Sequence, residues 1–230
     1  AGAVAASKLH IPVAHVEAGL RSFNKRMPEE INRIICDHCS TWLFCPTSTA
    51  VDNLGREGFG PDTSAPPDAD HPHVLLSGDV MYDNSMHFAA LATERSTLLK
   101  TLKLSAGGYA LVTVHRDHNT DVPERLNAIV GALIALHDEH KLPLVLPVHP
   151  RTRKCFEQFL DASLRNALTA RPSIHLIPPA GFLDMIALER DARLVMTDSG
   201  GVQKEAFFFG RPSVILRTET EWGELVEHAR

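Results

Sequence analysis

"LVMTDSGGVQKEAFFFGRP", residues 194–212, is the stretch on which the reading of this chain turns. Leu194, Val195 and Met196 are strand formers, and the segment turns polar at Thr197, Asp198 and Ser199. Gly200 and Gly201 follow, and the spacing predicts a helix over 201–209. A strand that hands a Ser-Gly-Gly step to a helix start leaves free N–H groups at the positive end of the helix dipole. Two glycines let a ligand approach that backbone closely. The step therefore reads either as a capped turn, with Asp198 or Ser199 as the cap, or as a seat for an anion such as a phosphate. Glu205 lies one turn on and faces the same mouth. It suits ribose hydroxyls better than phosphate, or else is a solvated helix residue paired with a neighbouring base.

Working outward, the second half of the chain repeats this strand-then-helix alternation. "ALVTVH", a helix over 122–138, "LPLVLPVH", a helix over 152–168, "SIHLIP", a helix over 181–190, "ARLVMTDS" and "PSVILR" follow in turn. Alternation of this kind implies parallel βαβ units, and five strands suffice for a Rossmann-like sheet. The first half offers three strands, "IPVAHVE", "TWLFCP" and "HVLLSG", with helices over 27–40, from Thr47 to Gly58, and over 84–102. The boundary falls near 103–110, at "KLSAGGYA". The Pro- and Asp-rich stretch 60–72 reads as a surface loop.

Neither the GxGxxG fingerprint nor a Walker A loop is present, so a nucleotide diphosphate would need another seat. "VTVHRDHNTD" ends a strand in His115 and Arg116, at the carboxyl edge where open α/β sheets bind ligands. Arg116 is suited to neutralise a phosphate, and His115 to donate to a leaving oxygen or shuttle a proton. "LPVHPRTR" repeats the theme with His149, Arg151 and Arg153. In "HVEAGLR…MPEEINR", Glu29 and Glu30 open a helix after Pro28, the ordinary dipole-complementing choice. Glu17 is different: an acid at the end of a buried strand needs a partner or a task.

Composition narrows the classes. The 230 residues are 44% hydrophobic and 22% charged, and 23 Lys and Arg against 28 Asp and Glu give a net charge of −5. That balance argues against a broad basic face for nucleic acid, while leaving room for a local anion site. No apolar run approaches the roughly 18 residues that span a bilayer. The opening "AGAVAASKLH" lacks the basic start of a signal peptide and reads as the second half of a helix, a chain that begins mid-fold. Cys36 and Cys39 form a CxxC without a second ligand pair, on a helix where they pack as small apolar residues, so no metal is expected. Reduced thiols and no export signal point to the cytoplasm.

Taken together, "HVEAGLRS", "MPEEINR", "FCPTSTAVDNL", "SGDVMYD", "TVHR", "PVHPRTR" and "TDSGGVQKEA" resemble the non-hydrolysing UDP-N-acetylglucosamine 2-epimerase family, in order and over nearly the whole chain. The resemblance implies an α/β, GT-B-like fold of two Rossmann-like parallel-sheet domains with the active site in the cleft between them. Residues 1–106 would be the remainder of the first, incomplete domain and 107–230 the UDP-binding domain. It implies inversion at C2 of UDP-GlcNAc to give UDP-ManNAc, by elimination of UDP to a glycal and re-addition, with no metal or other cofactor. One acid/base group per sugar face is needed, and the family's carboxylates match Glu17 and Glu29. His115, Arg116, Ser199, Gly200 and Gly201 would hold the departing UDP, and Glu205 matches the ribose-binding glutamate. The family also implies a homodimer and, for some members, activation by a second UDP-sugar, for which Arg116 and His149 are the expected contacts.

Several positions depart from the family pattern. His118 replaces a common Glu, Met185 stands where many members carry an aromatic residue near the uracil, and Trp222 replaces an Arg-Pro pair. The "QKEAFFFGRP…TETEW" ending looks more like members acting on UDP-2,3-diacetamido-glucuronic acid. Family segments before and after these residues are missing, so the chain looks incomplete at both ends. Two alternatives follow: a UDP-binding fragment without turnover, and a GT-B glycosyltransferase, which would leave the "HVEAGLR" acids unexplained.

Overall fold

The computed structural model describes residues 1–60, 66–218, 222 and 223. Its elements begin α1 (Gly2–Lys8), β1 (Ala14–Val16), α2 (Pro28–His38), β2 (Trp42–Cys45), α3 (Ser48–Arg56) and β3 (His73–Leu76). They continue with α4 (Val80–Arg95), α5 (Leu98–Thr101), β4 (Ala110–Thr113), α6 (Asp117–Thr120), α7 (Pro123–His140) and β5 (Leu144–Pro147). The last are α8 (Pro150–Phe159), α9 (Ala162–Thr169), β6 (Ile174–Ile177), α10 (Phe182–Asp191), β7 (Leu194–Thr197), α11 (Gly200–Phe208) and β8 (Ser213–Ile215). Strands alternating with helices make an α/β protein, and among the described residues every strand pair is parallel.

Packing divides the chain into two compact units. The first comprises Ala1–Asp83 with Trp222, around a three-stranded sheet in the order β1-β2-β3. Its core is Ala18, Leu20, Leu43, Cys45, Ala50, Leu54 and Trp222. Thr47 starts α3 by accepting the Ala50 N–H at 3.2 Å, the cap its hydroxyl predicts. Of the loop expected over 60–72, residues 61–65 lie outside the described residues.

The second unit, Asn84–Thr218, holds a five-stranded sheet in the order β6-β5-β4-β7-β8. Within that unit the chain winds outward from β4 in one direction, then returns to β4's other side with β7. The order reverses between β4 and β7, and in open α/β sheets ligands bind outside the strand ends at such a switch point. All four residues of β4 are buried, as a central strand with both faces covered requires.

Three expectations shift. The boundary at 106/107 moves, because Leu98, Leu99, Leu102 and Leu104 pack with Tyr109, Leu111 and Leu188, and Ala89 and Ala92 with Ile186 and Ala187. Residues 84–106 therefore belong to the second unit. The single helix expected over 84–102 is two, broken where the Ser96 hydroxyl donates to Asp184 at 2.6 Å. The helix expected over 152–168 is also two: the Asn127 side chain accepts from Asp161 N at 2.8 Å and donates to Phe159 O at 3.1 Å, ending α8 and turning the chain.

Candidate functional site

The β4–β7 switch point is held by one carboxylate. Asp198 follows β7 and is fully buried. It accepts the backbone N–H of His115 at 3.1 Å, the N–H of Arg116 at 3.0 Å and the Asn119 amide at 3.0 Å. The same Asn119 amide donates to Leu216 O at 2.8 Å, just beyond β8. Loops after β4, β7 and β8 are thus tied to one point. A buried anion with three donors is satisfied, whereas an unpaired one would cost several kcal/mol.

Beside this clamp, Ser199 caps α11, its hydroxyl accepting the Val202 N–H at 3.4 Å. Its own N–H is turned back onto the Thr197 hydroxyl at 2.9 Å, which in turn bonds Thr113 across the β4–β7 pair at 2.5 Å. Of the two capping residues offered by the sequence, Ser199 caps and Asp198 reaches across the sheet. Gly200 and Gly201 form the first turn of a nine-residue helix, leaving its end open to an anion.

A cavity of about 380 Å³ opens next to these loops, lined by His115, His149, Arg151, Met185 and Val202 among others. That volume is in the range of small-molecule sites and suits one planar base. His149 starts α8, its ring Nδ1 accepting from Arg151 N at 3.3 Å. Arg151 is committed to structure, paired with Asp121 at 2.5 Å and donating to His115 O at 3.4 Å.

The His115 side chain is 47% exposed, and its Nδ1 lies 3.3 Å from Asp198 Oδ1. Desolvation lowers its pKa; Asp198 opposes the fall, while Arg116 and His149 add to it. A neutral imidazole with Nδ1–H toward Asp198 presents Nε2 to the cavity as a base, and an arriving diphosphate would favour its protonation. Glu205 is half-buried on α11, and its carboxyl meets that of Glu189 from α10.

The first unit carries Glu17 and Glu29. Glu17 follows β1 with φ +68°, a left-handed conformation a glutamate rarely adopts. The loop behind it is tightly determined. Gly19 has φ +78°, donates to Asp37 at 3.2 Å and accepts from Asn53 at 3.1 Å. Buried Arg21 reaches Asp37 at 2.7 Å and grips Glu57 with two bonds at 2.6 and 2.7 Å. Glu30 is buried and accepts Ser22 N, Phe23 N and Arg33 at 3.0, 2.9 and 2.8 Å. Burial would raise its pKa, yet those bonds outweigh burial and lower it. Glu29, its neighbour, is exposed. The pair that looked like ordinary helix-start acids thus splits, one holding the loop and one facing out.

Cys36, Cys39, Cys45 and Cys155 are free thiols. Among the described residues no helix is long and apolar enough to cross a membrane.

Comparison with known proteins places this geometry. The family model described as UDP-N-acetylglucosamine 2-epimerase matches residues 1–230. The chain belongs to the UDP-N-acetylglucosamine 2-epimerase family. Among relatives of this family, the UDP-2,3-diacetamido-2,3-dideoxy-D-glucuronate 2-epimerase of Pseudomonas aeruginosa is 50% identical over 226 residues. That alignment covers 98% of this chain and 57% of the relative. The UDP-N-acetylglucosamine 2-epimerase of Methanocaldococcus jannaschii is 38% identical over 99% of the chain and 59% of its own length. Its crystal structure with UDP-GlcNAc and UDP superposes with a TM-score of 0.84, covering 60% of that chain. The Neisseria meningitidis enzyme bound to UDP-GlcNAc gives 0.79 at 29% identity, covering 98% and 58% of the two chains. The fold is accordingly GT-B-like, and this epimerase-family chain spans under two thirds of the length of these relatives.

Within this epimerase-family chain, His115, Arg116, His149, Ser199, Gly200, Gly201 and Glu205 all lie in the second unit, and Glu17 and Glu29 in the first. Sequence reasoning missed the work of Asp198 and Asn119; the Asn of "HRDHN" was a signal for it. Nothing in the sequence marked Glu189. Met185 lines the cavity, and Trp222 is buried in the first unit's core, in the cluster that holds Ala18 and Leu20.

Proposed function

We propose that this chain is the greater part of a UDP-sugar 2-epimerase, its second unit seating UDP and its first supplying the carboxylates that move the C2 proton. The Asp198 clamp carries this reading, because it fixes His115 and Arg116 beside an open helix start, at the strand-order reversal where α/β sheets take nucleotides. In the reaction, one carboxylate of the pair Glu17 and Glu29 takes the C2 proton as the C1–O bond breaks and UDP leaves. The other returns a proton to the opposite face of the glycal before UDP re-adds. His115, made imidazolium by the bound diphosphate, donates from Nε2 to the leaving oxygen as the C1–O bond breaks and recovers that proton when UDP re-adds. Ser199, Gly200, Gly201 and Arg116 hold that diphosphate, and Glu205 accepts the ribose hydroxyls. We include in this reading a homodimer, effector contact by Arg116 and His149, and a cytoplasmic setting, the last supported by four free thiols.

Incubation with UDP-GlcNAc in deuterated water is expected to give UDP-ManNAc carrying deuterium at C2. Deuterium-free product would overturn the mechanism. The 50% identity to the Pseudomonas aeruginosa enzyme favours a second reading of the substrate, UDP-2,3-diacetamido-glucuronate. Side-by-side turnover of the two sugars decides between them. The coverage of 57% favours a third, UDP binding without turnover, which calorimetry with UDP beside the turnover assay would expose.

A further inference from the structure

Helix α10 carries an acid where its neighbours are apolar. Ile186, Ala187 and Leu188 are buried, and Glu189 continues the run at 0% exposure. Neither Glu189 carboxylate oxygen has a hydrogen-bond donor among the described residues. The polar group that meets it is the carboxyl of Glu205, from α11 packed alongside. Two ionised carboxylates in one desolvated space repel strongly, which favours a protonated Glu189 able to donate to Glu205.

The surroundings agree. Burial first, then Glu205, push Glu189 well above the ordinary carboxylate range. Burial also raises Glu205, with its contact to Glu189 and the charge of Lys204 acting the other way. From β4's leading edge, Tyr109 spends its hydroxyl on Leu188 O at 2.8 Å. Arg190 is paired with Asp191 at 2.6 Å, and Arg211 acts on Tyr109. None of these donates to Glu189.

We propose that Glu189 is a positioning residue for Glu205: by sharing a proton with it, Glu189 makes the binding of a ligand's vicinal diol at Glu205 depend on pH. This rests on the reading of Glu205 as the ribose acceptor. A diol donates two O–H groups and needs Glu205 ionised, so the shared proton must sit on Glu189 and point at a Glu205 oxygen. When pH falls and both carboxyls are protonated, Glu205 has lost acceptor capacity, and binding the diol releases one proton to solvent. Affinity for a ribonucleotide then drops as pH falls through the Glu205 titration, a window that a solvated glutamate would show only near pH 4.

Two measurements on the 230-residue chain test this. Infrared spectroscopy of the ligand-free protein at pH 7 is expected to show a protonated-carboxyl band that Glu189→Gln abolishes and Glu205→Gln shifts in frequency. Calorimetric titration across pH, with UDP and with 2′,3′-dideoxy-UDP, gives a ratio of affinities. That ratio is expected to fall about tenfold per pH unit on its acid limb. In Glu189→Leu, which removes that donor and keeps the space apolar, the limb moves up by about one pH unit. Absence of the band in the unaltered chain overturns the proposal, whether or not the variants fold. A Glu189→Leu profile superposed on that of the unaltered chain also overturns it. Equal affinities for UDP and the dideoxy analogue, with the band present, overturn the coupling and locate the fault in the ribose reading.

Discussion

Asp198 and His115 are bound twice over: the carboxylate accepts the His115 backbone N–H at 3.1 Å and also stands 3.3 Å from the ring Nδ1. One residue thereby sets where the imidazole sits and which nitrogen carries its proton. The arrangement works only because Thr113 and Thr197 lie in register on β4 and β7, which brings the two strand ends level.

Asp198→Ala should unfold more easily by about 2–4 kcal/mol, because it strands three donors in a buried space. Asp198→Asn keeps the shape but offers one acceptor oxygen fewer, and should lose less. Urea unfolding ranks the variants. Equal stability of Asp198→Ala and the unaltered chain would remove the clamp.

His115 has a lowered pKa, so the folded chain prefers it neutral and the unfolded chain binds the proton more readily. Its contribution to stability is therefore full above about pH 6.5 and is lost as pH falls from there through the folded value. UDP should reverse the shift, since a diphosphate favours imidazolium. Nitrogen-15 NMR of the ring with and without UDP reads both values, and an unchanged pKa with UDP bound would place the phosphates elsewhere.

Glu29→Gln and Glu30→Gln, one position apart, should act oppositely. Glu30→Gln should cost about 1–3 kcal/mol by weakening the bonds to Ser22, Phe23 and Arg33. Its lowered pKa means that this stability is present above about pH 4.3 and is lost as pH falls through the folded value. Glu29→Gln should cost less stability than Glu30→Gln and slow deuterium incorporation at C2 by about a hundredfold or more. Unfolding scans paired with the exchange assay separate the two.

Gly19→Ala places a Cβ 2.3 Å from Ala50 O in a residue whose φ is +78°. Either α3 or the loop must move, and a loss of about 2 kcal/mol or more is expected. A melting curve unchanged by the substitution would mean that the loop is not held as described.

Much of this was readable from residues alone, and what was not has a common cause. His115 and Ser199 were legible because strand runs end visibly and helix starts have their own chemistry. The break between α8 and α9 was not, because Asn127, 34 residues before Asp161, makes it. The same holds for residues 84–106, whose leucines choose a partner surface only once the second sheet exists. Glu189 sits inside a helix whose local pattern gives no hint that a second carboxyl waits on α11. Local rules found the strand ends; long-range partners decided what each residue there does.

Glu17 closes the matter from another direction. At φ +68° a glutamate carries about 1–2 kcal/mol of backbone strain that Asn or Gly would largely relieve. A chain selected for robustness alone would carry one of those instead. Glu17→Asn relieves that backbone strain, and its C2 exchange is expected to disappear; melting curves read how far the relief offsets the loss of the glutamate's own contacts. Loss of exchange with the melting temperature held would mark Glu17 as a residue kept for chemistry at the expense of the fold.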